Sequence, residues 1–167
     1  NGMFNGQGLN IISSWTKSFQ SGIYLKAQGT IKNNGDYSTP NYVLTNTGNN
    51  EKNFNLNVGR NKILKKLKIN FSYYSQEIGI LRSSHIGNVG DLLRAIQSNE
   101  PFVINPFSYE INFPKQFNRH YTSSIEYSVR NNSNGKWITK YNWQKNNRKE
   151  YDIRRGSDKY DPALDLT

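Results

Sequence analysis

The 167-residue chain is long enough for one ordinary domain, but only 34% of it is hydrophobic while 13% is aromatic, with 11 Tyr and 3 Trp. It has no cysteine, which excludes disulfides, thiolate metal sites and a Cys nucleophile within the chain. The net charge of +10 would suit a nucleic-acid partner if basic and aromatic residues gathered on one surface. Here the bases scatter through alternate positions, and five of the twelve acids (Glu150, Asp152, Asp158, Asp161, Asp165) crowd into the last eighteen residues, so no nucleic acid is expected.

No stretch approaches ~18 consecutive apolar residues, so a transmembrane helix is excluded. A transmembrane β-barrel is not, because its strands need only about 9–11 residues and alternate apolar with polar. The chain opens with Asn1-Gly2 rather than Met, and no basic segment precedes an apolar one. A piece of a longer protein is therefore expected, and the absence of a leader carries no information on compartment.

In chain order, "LNIISSWTKS" (9–18) alternates poorly but reads as a strand. "GIYLKAQGTIK" (22–32) puts Ile23, Leu25, Ala27, Gly29 and Ile31 on one face and Tyr24, Lys26, Gln28, Thr30 and Lys32 on the other. "NFNLNVG" (53–59) sets Phe54, Leu56 and Val58 against Asn53, Asn55 and Asn57. "KLKINFSYYS" (66–75) sets Leu67, Ile69, Phe71 and Tyr73 against Lys66, Lys68, Asn70 and Ser72. An amphipathic basic helix over 61–69, lined by Ile63, Leu64 and Leu67, is the counter-reading, and the strict alternation favours the strand. "YTSSIEYSVR" (121–130) and "KWITKYNWQ" (136–144) complete the set, with Ile138 breaking the polar face of the last.

The connections alternate strictly. Residues 17–21, 60–64 and 131–135 are short; 33–50, 76–116 and the stretch after Glu150 are long. All five prolines fall in the assigned loops. An up-and-down meander with its long loops at one end has this signature, as transmembrane barrels do. The expected fold is all-β: an antiparallel meander of about six strands, a sector of a transmembrane β-barrel. One short helix sits in the longest loop, from about Asp91 to Ser98, with Asp91 as its cap and Leu92, Leu93 and Ile96 on one face. That face is expected to pack on loop residues such as Phe102, Val103 or Phe107.

Tyr73, Tyr121, Tyr127, Trp137, Tyr141 and Trp143 suit the membrane–water boundary, with core or cross-strand aromatic pairs as the alternative. The polar face does not decide between a wet lumen and plain solvent. A soluble β-sandwich also alternates. A carbohydrate-binding module of that kind, stacking its aromatics on sugar, therefore stays open. Catalysis is not expected. His85 and His120 have no partners at metal-ligand spacing, and no metal or cofactor is expected. Asp158, Asp161 and Asp165 match no EF-hand spacing and read as solvated loop charge. Ser123, Ser124 and His120 lack a nucleophile-elbow context.

"GDYSTPNYVLTNTG" (35–48), followed by "YYSQEIGILRSSHIGNVGDLLRAIQSNEPF" (73–102), resembles the barrel of TonB-dependent outer-membrane receptors, especially those of the Bacteroidota group. "RKEYDIRRG" (148–156), with the later "PALDL", looks like the next extracellular loop, so the resemblance runs over essentially the whole chain. It implies that residues 1–167 are part of a barrel of twenty-odd strands, with the plug, the TonB box and the remaining strands outside this chain. It implies location in the outer membrane of a Gram-negative bacterium. It further implies active import of a scarce nutrient, an iron–siderophore complex before cobalamin or a glycan, energised by the TonB–ExbB–ExbD complex. Outer-membrane lipid would be the surrounding partner. Such chelates are often anionic, so Arg82, His85, Arg94 and Tyr109 in the longest loop, with Arg154 and Arg155 in the last, are the candidate ligand contacts. Lys26, Lys66, Lys68, Lys140 and Arg130 would face the lumen and favour anions there.

Overall fold

The computed structural model describes residues 2–4, 7–84, 88–131, 135–152 and 164–166. Six long strands form an antiparallel meander: β2 (Gly8–Ser18), β3 (Ile23–Asn34), β6 (Asn49–Asn61), β7 (Lys65–Gly79), β8 (Lys115–Arg130) and β9 (Lys136–Tyr151). The three-residue strands β1 (Gly2–Phe4) and β10 (Leu164–Leu166) add one rung set at each edge. A two-residue ribbon, β4 (Tyr37–Ser38) with β5 (Val43–Leu44), lies in the first long loop. The expected meander and its six strands are therefore found, and β1 and β10 are additions to them.

Residues 61–69 form a turn and a strand rather than a basic helix. Lys62 N–H donates to the Lys65 carbonyl at 2.9 Å, and β7 pairs with β6 from Lys66 onward. The short connections all lie at one end of the sheet and the long ones at the other. At the short end, Gly22 has φ +80 and donates to the Phe19 carbonyl at 3.0 Å. Its own carbonyl accepts from Asn61 N–H at 2.8 Å, and a side chain at Gly22 would run into the Asn61 backbone.

The register carries each face across all six strands. One cross-strand row reads Lys17–Leu25–Val58–Ile69–Ile125–Tyr141, and the next Trp15–Ala27–Leu56–Phe71–Ser123–Trp143. The opposite face reads Thr16–Lys26–Asn57–Asn70–Ser124–Asn142 and Ser14–Gln28–Asn55–Ser72–Thr122–Gln144. A mainly apolar zone, broken at Lys17 and Ser123, thus backs onto a mainly polar one, broken at Ile138.

Nothing in the described chain covers the apolar zone. Among the described residues no hydrophobic side chain is buried; the buried ones that are polar or charged are Asp36, Thr45, Asn46, Glu51 and Ser128. Trp15, Phe54, Leu67, Ile69, Phe71, Ile125, Tyr127, Trp137, Tyr141 and Trp143 are all exposed. The described residues contain no second sheet beyond the β4–β5 ribbon, so the packed pair of sheets that defines a sandwich is not present among them.

The long-loop segment holds one α-helix, α1 (Val89–Gln97), and a single 3-10 turn at Arg82–Ser84. Its cap differs from expectation. Asn88 is the N-cap, with extended backbone, and its side-chain oxygen accepts from Asp91 N–H at 2.9 Å. Asp91 instead sits in the first turn, where its charge favours the helix N-terminus, and pairs with Arg94. The expected packing of the helix also fails: Val89, Leu93 and Ile96 are 72%, 55% and 71% exposed, and Phe102 is exposed as well. Val103, Asn105, Ser108, Asn112 and Pro114 are instead hydrogen-bonded to Asp36, Thr45 and Asn46 in the first long loop.

Replacing Gly22 by alanine places a Cβ in the left-handed region, at about 1–2 kcal/mol, and against the Asn61 backbone. The expected result is a lower urea midpoint for the full-length protein, followed by tryptophan fluorescence; an unchanged midpoint would show that this turn adjusts freely.

Candidate functional site

The long-loop end of the sheet is organised by polar side chains. Asn46, 5% exposed and at φ 65, is the centre. Its amide nitrogen donates to the Ile80 carbonyl at 2.9 Å and to the Pro114 carbonyl at 2.8 Å, while its side-chain oxygen accepts from Asn112 N–H at 2.8 Å. Asn suits this position because it tolerates the left-handed backbone and carries both donor and acceptor. Gly79 lies against the Asn46 backbone, where a side chain would collide.

Two further buried residues of the same loop, Thr45 and Asp36, extend the arrangement. Thr45 Oγ1 donates to the Val103 carbonyl at 3.3 Å and accepts from Asn105 N–H at 2.8 Å. Asp36, 2% exposed, accepts from Thr47 N–H at 2.8 Å through Oδ1, and its own N–H donates to the Ser108 carbonyl at 2.9 Å. Ser83 Oγ donates to the Val103 carbonyl at 3.1 Å and accepts from Val103 N–H at 3.2 Å. Residues 35–48, 80–84 and 103–114, distant in sequence, are thereby fastened into one platform above the ends of β3, β6, β7 and β8.

The candidate ligand contacts fall into three groups. Arg82 is half-buried; its guanidinium donates to the Phe113 carbonyl at 3.0 Å and its N–H to the Thr45 carbonyl at 3.1 Å, so part of its capacity holds the platform. Tyr109 is exposed on the same platform, edge-on to Phe107 with ring centroids 5.0 Å apart. Arg94 stands apart on α1, exposed and paired with Asp91. His85, Arg154 and Arg155 lie outside the described residues. The platform brings Arg82 and Tyr109 together with the Asn46 clasp, which sequence reasoning missed. Its only local signal was the run Thr45-Asn46-Thr47-Gly48, which has the composition of a turn.

On the polar face, Lys26, Lys66, Lys68, Lys140 and Arg130 all lie where the alternation put them. Glu126 takes Lys140 at 3.1 Å and Lys68 at 4.0 Å. Lys32 pairs with Glu51 at 3.2 Å, and Glu51 also accepts from Asn53 at 2.6 Å. Asn57 donates to Asn55, and Asn55 donates to Asn70 at 3.4 Å. Asn10, Asn34 and Asn53 each keep an unpaired side-chain oxygen, as Arg148 keeps its Nε. Across β3 and β6–β9, Lys and Arg outnumber the three carboxylates Glu51, Glu126 and Glu150 on this face.

On the apolar face, Tyr73 and Tyr121 pair with centroids 5.1 Å apart, beside the polar row that holds Ser75 and Arg119. Tyr127 and Trp137 stand at the opposite margin, near the short turns, and Trp143 adjoins Lys145. Tyr141 sits in mid-zone, in the row of Ile69 and Ile125.

No catalytic arrangement forms from the residues considered. His120 and Ser124 share the polar face but are four residues apart, about 13 Å along the strand, and Ser123 lies on the other face. The described residues contain no group of three or more His, Asp or Glu able to hold a metal ion.

Asn46→Ala removes all three side-chain bonds and strains the backbone; each orphaned buried group costs about 1–3 kcal/mol. Limited proteolysis of the full-length protein should then cut within 35–48 and 80–114 at least about tenfold faster, since opening becomes cheaper by that amount. Equal cutting rates would show that the clasp contributes little.

No protein-family model matches the chain, and neither does any curated protein or solved structure.

Proposed function

We propose that this chain is a sector of the transmembrane β-barrel of an outer-membrane active-transport receptor, of the TonB-dependent kind, in a Gram-negative bacterium. The observation that carries the reading is the apolar zone on six paired strands, with no buried hydrophobic side chain among the described residues. Such a face needs an apolar solvent, and a bilayer supplies one without a second layer of protein. The polar face, with its unpaired Asn oxygens and excess of cations, suits a wet lumen.

Two further features support a barrel wall. The long-loop edge of the apolar zone runs obliquely over the ladder, from the level of Leu9 on β2 down three rows to that of Trp143 on β9. That is about 20 Å along the strands against about 24 Å across them, a slope near the roughly 35–45° at which barrel strands tilt. The short-turn edge drifts the same way by fewer rows, from Ile23 to Trp137. Aromatic residues also occupy both margins, as girdles do.

The substrate class we propose is an anionic iron–siderophore complex. The cationic balance of the polar face and the exposed Tyr109 and Arg94 above it support this. Energy would come from the TonB–ExbB–ExbD complex through segments outside this chain, and no enzymatic step is assigned to it. The sandwich alternative would require a second sheet over the apolar zone.

The decisive experiment is fractionation of cells holding the full-length protein, with the membrane fraction run boiled and unboiled in detergent. Outer-membrane location with a heat-dependent mobility shift is expected; a soluble protein with no shift would sink the reading in favour of the sandwich. Within such a barrel, Phe71→Arg should lower stability by about 2–4 kcal/mol, as for a cation at the bilayer midplane. Ser72→Arg, one residue on but facing the lumen, should change it little. Equal effects in a liposome-refolding titration would contradict the facing assignment. Deleting the parent gene should abolish growth on a ferric siderophore as sole iron source. Unimpaired growth would reject this substrate class while leaving the barrel intact.

A further inference from the structure

Two shallow grooves meet on the apolar face where it turns polar. One, of about 350 Å³, is lined by Gly29, Ile31, Phe54 and Tyr73; the other, of about 410 Å³, by Lys52, Ser75 and Arg119 among others. Ile31, Lys52 and Tyr73 line both, so the two make one trough with an apolar half and a polar half.

The sequence builds this trough simply. Gly29 leaves a gap in the row Ser13–Gly29–Phe54–Tyr73. A Cβ there would meet only the Asn53 carbonyl, at 3.9 Å, so the space above it is open. One row nearer the long loops, Lys52 and Arg119 flank Ser75. Their strands lie two spacings apart, about 10 Å, which two long side chains can close on a single phosphate. Arg119 rests over the Phe117 ring, its Cζ 4.6 Å from the centroid, a cation–π contact that does not use its N–H donors. Neither cation has a carboxylate partner among the described residues. Glu77, the acid closest in the ladder, also lines the polar half, and its carboxylate is held by Lys115 at 2.6 Å.

We infer that the trough binds an anionic, phosphate-bearing lipid. Lys52, Ser75 and Arg119 hold the headgroup, and an acyl chain lies over Gly29 against Ile31 and Phe54. This rests on the proposal that the apolar face meets the bilayer. The surplus negative charge of such a lipid meets two cations that no carboxylate among the described residues pairs with, whereas a zwitterionic headgroup brings a competing amine. Inorganic phosphate would fill the polar half alone.

The test takes the full-length protein in neutral detergent, with phosphatidylglycerol, phosphatidylcholine and inorganic phosphate as probes in native mass spectrometry. The heat-dependent mobility shift is read on the same samples, so that the barrel and the site are judged separately. Phosphatidylglycerol should be retained at least about tenfold better than phosphatidylcholine, and Lys52→Gln with Arg119→Gln should remove that preference. Gly29→Phe should weaken retention with the mobility shift intact, and Gly29→Val replaces it if the ring blocks assembly. Lys52→Arg, which keeps the charge, should bind as the parent does. A normal shift with no lipid preference, or with variants that bind equally, overturns the site alone. Displacement of lipid by inorganic phosphate, with Gly29→Phe unaffected, overturns the acyl-chain assignment. Loss of the shift in the parent protein overturns the membrane reading and the inference with it.

Discussion

Burial of a Leu, Ile or Phe side chain contributes about 1.5–3 kcal/mol, and the six long strands place such residues where no other described part of the chain meets them. That omission governs the rest of the molecule. A soluble domain would fold a second layer over the zone. Here the alternation is used once, and the backbone hydrogen bonds run strand to strand across a single layer. Only the sheet edges remain to be paired, and β1 and β10 each cover three residues of their neighbours. Stability must therefore come from the ladder and from whatever surrounds the apolar zone.

At the long-loop end the means of stabilisation are different. The buried side chains with polar groups there, Asp36, Thr45 and Asn46, each bond to backbone groups. Asn46 joins residues 80, 112 and 114; Thr45 joins 103 and 105; Asp36 joins 47 and 108. A set of directional bonds fixes loop geometry as a hydrophobic cluster would, while needing no apolar surface. Its weakness is cooperative: a group that loses its partner is left buried and unpaired.

The strands were legible because period two is strict there. Ile23 through Ile31 and Leu67 through Tyr73 fix their faces in any register, and the ladder only joins them into rows. A short connection was legible at 17–21, but Gly22 was placed in the strand that follows, and its left-handed backbone puts it in the turn instead. The Asn46 clasp was not, since its partners lie as many as 68 residues away and carbonyl acceptors leave no mark on a sequence. The cap of α1 was misplaced by three residues because Asn88 and Asp91 are both good N-caps, and only the backbone geometry separates them. The helix packing was misjudged for a related reason. An amphipathic pattern shows which face is apolar, but not whether anything stands opposite it.

The strands of β7, β8 and β9 run on past the apolar zone by five to seven residues, from Ser75 to Gly79, Arg119 back to Lys115, and Lys145 to Tyr151. Measured along the chain this is about 17–24 Å, which is two or more Debye lengths at physiological ionic strength, at about 8 Å each. In the proposed barrel this overhang begins at the headgroup level, with Ser75 and Arg119, and stands in water above it. Charges at its lip and charges at the level of the lipid would then act on an approaching ion one after the other, with little overlap of their fields. Capture at the lip would be fast at low ionic strength and weaken as salt is added, while the deeper lysines act only on a solute already inside. The height of the wall would thus separate how fast a charged solute arrives from how firmly it is held.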